Sequence, residues 1–375
     1  MNTIALVGNP NSGKTTIFNA LTGANQHVGN WPGVTVEKKE GKFEFKGNKY
    51  NVVDLPGTYS LGAFSEDEIV ARDFILKSNP DIVINVVDAT NIERNLYLTT
   101  QLLEMGAKVV VALNMIDEAE KRKIKFDLNR LSKELGAPVI PTIAAKRKGI
   151  NELIKQSVKL INQDVKPKTQ ISYGEKIDQE LKKLKAFLSD KNLEYPSQWI
   201  AIKLLESDQY IYELVTNNKD LSSSDEFINT LHQLKNRTED YELEIVNKRY
   251  EFASKIVENS VTMPEVIVET KTDKIDKIIT NKWLGLPIFF LIMLLVFQLT
   301  FTVGEDLLGG LMASGIEALG KVIENYLITI NSPELLVSFV TEGIIGGVGA
   351  VVEFIPLILV LYLLMGILED SGYMA

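Results

Sequence analysis

The stretch Gly8-Asn9-Pro10-Asn11-Ser12-Gly13-Lys14-Thr15 decides the fold of the first part of this chain. It follows apolar residues 4–7, which are typical of a buried strand, and it precedes an amphipathic helical pattern. In this context the pattern G-x-x-x-x-G-K-[ST] predicts a phosphate-binding loop, because its glycines let backbone amides wrap around phosphate oxygens. We expect Lys14 to neutralise phosphate charge and the Thr15 hydroxyl to bind Mg²⁺, with Thr16 at the same site.

Short apolar runs alternate with helical stretches as far as about residue 162. The runs are residues 51–54, 82–87, 109–113 and 139–140, and residues 35–45 contain a further candidate strand. This alternation predicts an α/β domain with a mostly parallel sheet over residues 1–162.

A second phosphate motif, Asp54-Leu55-Pro56-Gly57, follows one of these strands. A carboxylate at a strand end can hold Mg²⁺, and the Gly57 amide can sense the terminal phosphate. Thr35, in Gly33-Val34-Thr35, lies between the two motifs and would complete the Mg²⁺ shell. Taken alone, Thr35 is equally an ordinary residue at a strand start, and its position between the motifs favours the functional interpretation.

A base-recognition motif, Asn114-Met115-Ile116-Asp117, follows the strand at 109–113. Asp117 can accept hydrogen bonds from N1 and N2 of guanine, which adenine does not offer. Met115 stands where the usual motif has Lys, so we expect weak nucleotide affinity and fast release. A backbone amide among Ile143, Ala144 and Ala145 is expected to contact the guanine oxygen. The four motifs in this order predict a GTPase.

The remaining residues divide by composition. Residues 166–262 show helical spacing and predict a small helical domain, without a catalytic signal. Residues 263–283 are predicted to form a basic linker helix that ends at Trp283. Residues 284–303 are uncharged and long enough to cross a bilayer, and a second apolar block at 344–368 contains Glu353 and Pro356. Residues 284–375 are therefore expected to hold two or three spans of a multi-pass cell-membrane protein, with the earlier domains in the cytoplasm.

Composition excludes other classes of protein and site. The net charge of −9 is spread over the chain, so no nucleic-acid partner is expected, and the absence of cysteine excludes disulfides and thiolate metal sites. The N-terminus leads directly into a strand, so no cleavable signal peptide is expected. Buried helices of a soluble protein are the alternative for 284–303, and the length and flanks of that run disfavour it.

The chain strongly resembles the FeoB family of bacterial ferrous iron transporters. The resemblance spans the whole chain, most weakly in the helical middle, and is carried by residues 8–15, 29–36, 54–61, 114–117, 276–285, 296–304, 343–349 and 368–375. It implies that the helical middle inhibits guanine-nucleotide dissociation and that the chain serves the inner-membrane uptake of Fe²⁺. Implied partners are the lipid bilayer, the rest of the permease or a partner subunit, small accessory iron-uptake proteins and a second copy of the chain. Family members continue with many more membrane helices, so transport by these residues alone is not expected.

The family also resembles potassium-activated GTPases, in which an Asn of the phosphate loop helps to bind K⁺. Asn11 matches that position, with carbonyls near Gly29 and Trp31 as further ligands, although Asn11 is equally explained by hydrogen bonds that shape the loop. Thr58 stands where many GTPases have a water-orienting Gln, which predicts slow hydrolysis that a cation would stimulate.

Glu353, Glu369 and Asp370 are candidate Fe²⁺ ligands, because ionisable residues within membrane helices are usually functional. For Glu369 and Asp370 a position at the water interface is the favoured alternative.

Two other functions of the chain stay open. One is a nonenzymatic nucleotide-sensing membrane module that regulates a partner channel. The other is a soluble RNA- or ribosome-associated GTPase, which the run 284–303 disfavours.

Overall fold

The computed structural model describes residues 1–23, 26–31, 34–62, 65–163, 171–189, 191, 193–222, 224–235, 241–264, 277–279 and 281–370. The chain divides into two compact units, Met1–Val268 and Glu269–Ala375. Most of the predicted basic linker at 263–283 lies outside the described residues, as does Gly33.

The first unit is built on a mostly parallel sheet, as predicted. Its strands, in chain order, are β1 Asn2–Gly8, β2 Gln26–Asn30, β3 Glu37–Phe45, β4 Asn48–Asp54, β5 Ile82–Asp88, β6 Val109–Asn114 and β8 Val139–Pro141, with β7 Lys125–Phe126 and β9 Val261–Thr262 outside this sheet. Within the described residues the order is β2-β3-β4-β1-β5-β6-β8. The pairs that involve β2–β3 and β3–β4 are antiparallel and the others are parallel.

Helices cover both faces of the sheet and then form the helical domain. In the α/β domain they are α1 Lys14–Thr22, α2 Glu66–Lys77, α3 Ile92–Glu104, α4 Ile116–Lys121, α5 Leu128–Leu135 and α6 Ile150–Ile161. In the helical domain they are α7 Glu175–Leu188, α8 Ser197–Leu205, α9 Gln209–Thr216, α10 Lys219–Ser222, α11 Asp225–Lys235 and α12 Tyr241–Ser260. The helical middle is thereby confirmed.

The core of each part follows from its pattern of apolar residues. β5 and β6 are buried almost throughout, because helices cover both faces of a parallel sheet. On α7 the apolar residues that recur at helical spacing are buried, namely Ile177, Leu181, Leu184 and Leu188. The chain also returns from the helical domain to the α/β domain, where β9 pairs antiparallel with β7.

A buried cluster of charges fastens the helical domain to α3. The Arg249 guanidinium of α12 donates to both carboxylate oxygens of Glu104, with its Nη2 at 2.8 Å, and also to Glu206. Tyr173 donates to Glu104, and Lys203 lies 2.6 Å from Glu206. The side chains of Arg249 and Glu104 are 2% and 5% exposed. Burial alone would raise the pKa of Glu206, but Arg249 and Lys203 outweigh it and the pKa is lowered.

The second unit contains, within its described residues, two helices long and apolar enough to cross a membrane, Gly285–Thr329 (α13) and Glu334–Glu369 (α14). Each includes a π-helical stretch, at Thr300–Gly309 and Phe339–Gly346. The sequence predicted a span that ends near residue 303, whereas α13 continues to Thr329. Apolar side chains at helical spacing, such as Leu308, Met312 and Ile316, extend the helical pattern through this stretch.

Replacing Arg249 with Met should lower the free energy of unfolding by about 3–5 kcal/mol at neutral pH, because two buried carboxylates lose their main cation. In the wild type, Glu206 stabilises the fold above its ordinary pKa near 4.5, and this stabilisation is lost as the pH falls through the lowered value. In Arg249→Met the pKa of Glu206 should rise, because the largest charge that lowers it is gone, so the deficit should shrink between pH 7.5 and pH 5. Unfolding by guanidinium chloride in detergent micelles, followed by tryptophan fluorescence at each pH, measures the loss of stability and its dependence on pH.

Lys183→Met is the matched control, because Lys183 forms a surface pair with Glu180 and its side chain is 63% exposed. It should change the free energy of unfolding by no more than about 0.5 kcal/mol. Equal losses in the two variants would contradict a special role for the buried cluster.

Candidate nucleotide-binding site

The phosphate loop lies between β1 and α1, as predicted, and its glycines are required by close packing. Gly13 has φ +85°, and a Cβ atom there would lie 2.3 Å from Nδ2 of Asn114. A Cβ atom at Gly8 would lie 2.7 Å from the carbonyl oxygen of Val86. The loop ends where α1 begins at Lys14, so the helix N-terminus faces the same region as the loop amides.

Two polar side chains of the loop fit a site for a polar ligand. Asn9 and Ser12 are buried, and within the described residues neither the amide of Asn9 nor the hydroxyl of Ser12 has a hydrogen-bond partner. Most buried polar atoms in proteins have a partner. Asn11 is exposed and has φ 65°, a left-handed conformation.

Lys14 and Asp54, predicted from separate motifs, form an ion pair in the structure. Asp54 ends β4, and burial raises its pKa while Lys14 opposes that rise. Thr15 and Thr16 are exposed in the first turn of α1. A hydroxyl and a carboxylate are hard oxygen donors of the kind that Mg²⁺ prefers, so Thr15 and Asp54 suit that ion.

The loop after Asp54 lies against the phosphate loop. The amide of Thr58 donates to the carbonyl of Gly8 at 3.2 Å, and a Cβ atom at Gly57 would lie 3.5 Å from Pro10. Leu55 is buried and Pro56 is half-buried. The Thr58 side chain is also buried, and its hydroxyl donates to the carbonyl of Ser60. That bond occupies the Thr58 hydroxyl proton within its own loop.

The segment before β3 adopts a structure that the sequence did not predict. Residues 26–30 form the exposed edge strand β2, in which Gly29 is opposite Lys38. Trp31 packs edge-on against Phe74 with ring centroids 5.4 Å apart, and its carbonyl accepts from the amide of Val34. Thr35 is exposed just before β3, and within the described residues no hydrogen bond joins its side chain to Lys14 or Asp54. The K⁺ ligands Asn11, Gly29 and Trp31 stay a prediction.

Asn114 connects the phosphate loop to the predicted base loop. Its Nδ2 donates to the carbonyl of Ser12 at 3.0 Å, and its Oδ1 accepts from the amide of Ala144 at 3.0 Å and the hydroxyl of Thr142 at 3.3 Å. The amide of Ile143 donates to the carbonyl of Lys148. Since Ile143 and Ala144 are committed to these bonds, the exposed Ala145 is left as the candidate for the guanine oxygen.

Asp117 lies in the first turn of α4, which begins at Ile116 directly after Met115, and Met115 has φ 61°. Lys146 approaches the Asp117 carboxylate to 2.8 Å. The hydrogen bond from Lys146 lowers the pKa of Asp117, so this side chain is ionised and accepts hydrogen bonds at neutral pH. The sequence did not predict this pair, since Lys146 and Asp117 belong to different motifs.

Of the predicted iron ligands, the structure describes the side chains of Glu353 and Glu369. Glu353 and Glu369 are exposed within the second unit, and the side chain of Asp370 lies outside the described residues. Among the residues described, no group of three or more His, Cys, Asp and Glu side chains lies close enough to hold a metal ion. Their role in iron binding stays a prediction.

Gly13→Ala should weaken guanine-nucleotide binding at least about 100-fold, because the added methyl group displaces Asn114 and unpairs its buried hydrogen bonds. Gly47→Ala is the matched control: Gly47 has φ +77°, but a Cβ atom there meets nothing within 4 Å. Both variants should lose about 1–2 kcal/mol of stability from the left-handed backbone, but only Gly13→Ala should lose affinity. Titration with a fluorescent GDP analogue measures the affinity, and thermal unfolding measures the stability. Equal affinities of Gly13→Ala and Gly47→Ala for the analogue would contradict the prediction and show that the loop repacks around the methyl group.

Comparison with known proteins places this architecture in one family. The family described as "Ferrous iron transport protein B" matches residues 2–157, and the "FeoB cytosolic helical domain" matches residues 173–262. The cytosolic domain of T. maritima FeoB in its GMPPNP form is 40% identical, with a TM-score of 0.62 over 70% of this chain and 100% of that chain. The cytosolic domain of L. pneumophila FeoB is 40% identical, with a TM-score of 0.61 over 70% of this chain and 100% of that chain.

Curated relatives point to the same family. The Fe(2+) transporter FeoB of Staphylococcus aureus (strain MSSA476) is 39% identical over 100% of this chain and 56% of its own length. That of Salmonella typhimurium is 40% identical over 100% of this chain and 48% of its own length. The chain thus spans about half the length of the curated relatives it matches. With a GTPase-type G domain followed by the matching helical domain, this chain belongs to the FeoB family.

Proposed function

We propose that this chain binds and hydrolyses GTP and that its nucleotide cycle gates or regulates the uptake of ferrous iron across the cell membrane. The observation that carries the proposal is the pair of hydrogen bonds made by the Asn114 side chain, which connect the phosphate loop to the base loop. The names of the relatives support iron as the transported ion, and the GDP and GMPPNP forms of the similar T. maritima domain support GTP and GDP as ligands.

Each residue of the site has a role that follows from its chemistry. The loop amides and Lys14 would hold the phosphates, and the Gly57 amide would detect the terminal phosphate. Mg²⁺, when bound, neutralises charge on the phosphates, and Thr15, Asp54 and Thr35 would hold it. Binding has to break the Lys14–Asp54 pair, which frees the ammonium for phosphate and the carboxylate for the ion.

Guanine recognition rests on Asp117 and Ala145. The carboxylate of Asp117, ionised beside Lys146, would accept from N1 and N2 of the base, and the amide of Ala145 would donate to its oxygen.

The rate of hydrolysis is proposed to be slow and to be stimulated by K⁺. The Thr58 hydroxyl donates to Ser60, so it is not available to orient an attacking water. A cation held by Asn11 would stabilise the charge that develops between the phosphates. The same Thr58 geometry favours one alternative, a nucleotide-sensing module without significant turnover.

The second unit supports a membrane location, through two helices with the length and composition of membrane spans within the described residues. We propose that the bilayer surrounds them, with the first unit in the cytoplasm. The remainder of a permease, accessory iron-uptake proteins and a second copy of the chain are the proposed partners.

GTP turnover by the purified chain should be at least about tenfold faster in K⁺ than in Na⁺, and Asn11→Ala should abolish the difference, because the variant lacks the proposed ligand. Phosphate release measured at equal ionic strength tests this. Equal slow turnover in both salts, with GTP binding intact, would exclude the potassium site and support the nucleotide-sensing alternative.

Asp117→Asn should weaken GTP binding at least about 100-fold, because an amide donor then opposes the guanine N1 and N2 donors. Competition binding with GTP and xanthosine triphosphate measures this, since xanthine presents an oxygen in place of the N2 amino group and should bind the variant better than the wild type. Unchanged preference for GTP in Asp117→Asn would contradict the assignment of Asp117 to the base.

A further inference from the structure

A buried arginine connects the helical domain to the helix that follows the Asp54 loop. Arg72 of α2 is charged but only 3% exposed. Its guanidinium carbon lies 6.0 Å from the ring centroid of Trp199 in α8 and 5.6 Å from that of Tyr210 in α9. A guanidinium at these distances is attracted to aromatic rings, so the helical domain provides an aromatic socket, Trp199 and Tyr210, for a residue of the α/β domain.

The same guanidinium reaches the end of the loop formed by residues 54–62. Its Nη1 donates to the carbonyl of Gly62 at 3.4 Å, and its Nε donates to Asp73 at 2.9 Å. Asp73 also lies 2.9 Å from Nη2 of Arg72. Because the guanidinium is planar and presents its donors in a fixed fork, the two rings and the Asp73 carboxylate together determine where the Gly62 donor points.

A second contact holds α2 beside the socket. Lys77 lies 3.2 Å from Asp73 and 3.1 Å from Glu194 of the helical domain. Burial would lower the pKa of Lys77, but its hydrogen bonds with Glu194 and Asp73 raise it, so the ammonium stays charged. The helical domain therefore contacts α2 at two points, Arg72 and Lys77.

The loop 54–62 has further anchors that come from the α/β domain itself. The amide of Thr58 donates to Gly8, and the amide of Leu61 donates to the buried side chain of Gln101 at 2.8 Å. Among these anchors, the Arg72–Gly62 bond is the one whose donor group is in contact with side chains of the helical domain. The loop carries Gly57, so its position determines where that amide lies relative to the phosphate loop.

We propose that Arg72 is a positioning residue for GTP hydrolysis: held in the socket of Trp199 and Tyr210, it fixes the loop 54–62 through Gly62 and makes the rate of hydrolysis depend on the helical domain. This inference rests on the proposed GTPase function. It predicts an effect on kcat with little effect on KM, because Arg72, Trp199 and Tyr210 belong to none of the predicted phosphate or base contacts.

The test compares two tyrosines that are equally exposed on the helical domain. Tyr210 and Tyr250 are each 44% exposed, and Tyr250 stacks on Tyr97 of α3 at 4.6 Å without contributing to the socket. Tyr210→Leu removes one ring of the socket. Tyr210→Phe keeps the ring and removes the hydroxyl, which lies 3.3 Å from the hydroxyl of Tyr195. Tyr250→Leu removes an aromatic contact elsewhere on the domain interface. GTP turnover and backbone amide exchange are measured on the full chain in detergent.

In Tyr210→Leu, kcat should fall about 3–10-fold with KM within about twofold of wild type, because a misplaced loop slows the chemical step rather than binding. Exchange at the Leu61 and Thr58 amides should be about tenfold faster in the nucleotide-free protein. Tyr210→Phe and Tyr250→Leu should resemble the wild type in both measurements.

An unchanged kcat and unchanged exchange in Tyr210→Leu would overturn the proposal, and so would an equal loss in Tyr250→Leu, which would indicate general packing of the interface. If the wild type binds GTP without turnover, the proposed function fails instead. The exchange measurement still decides in that case whether the socket anchors the loop.

Discussion

The carboxamide of Asn114 donates to the carbonyl of Ser12 and accepts from the backbone amide of Ala144, at 3.0 Å in each case. These bonds join loops that leave three parallel strands, β1, β6 and β8, at the same edge of the sheet. Leaving the buried Asn114 carboxamide without hydrogen-bond partners would cost about 1–3 kcal/mol. This cost favours the arrangement in which Asn114 is bonded to both loops. The close approach to Gly13 follows from the same placement. Asn114 therefore joins the predicted phosphate loop and the predicted base loop, which come from distant parts of the sequence.

The parallel part of the sheet could be predicted because strands that are buried on both faces form continuous apolar runs. β2 could not, because the sequence of residues 26–30 is polar and exposed and its pairing with β3 is a tertiary interaction. The pair β7–β9 joins two-residue segments more than a hundred positions apart, which local periodicity does not detect. The extension of α13 to Thr329 was not predicted for a different reason, since charged residues such as Glu305 and Asp306 interrupt the apolar run after residue 303.

Residues of the candidate site were predictable where a contiguous motif contains them, as with Lys14, Asp54, Asn114 and Asp117. The contacts that join separate motifs were not. The pairing of Lys146 with Asp117 lowers the pKa of a predicted residue, yet neither motif implies the pair. Arg72 and Arg249 are harder still, because an arginine within an amphipathic helix usually lies on the solvated face. Only the fold shows that aromatic rings cover one and carboxylates surround the other.

These two buried arginines differ in what it costs to move them. Separating Arg249 from Glu104 and Glu206 would leave uncompensated charges in a buried place, at a cost of about 3–5 kcal/mol, so the helical domain and α3 are expected to move together. The Arg72 socket is held by cation–π contacts of about 0.5–2 kcal/mol, and one of its rings is 44% exposed. A nucleotide-driven shift of the loop 54–62 can therefore disrupt the socket without separating the domains. In this view the helical domain stays in place, and α2 either keeps or loses the contact of Arg72 with Trp199 and Tyr210.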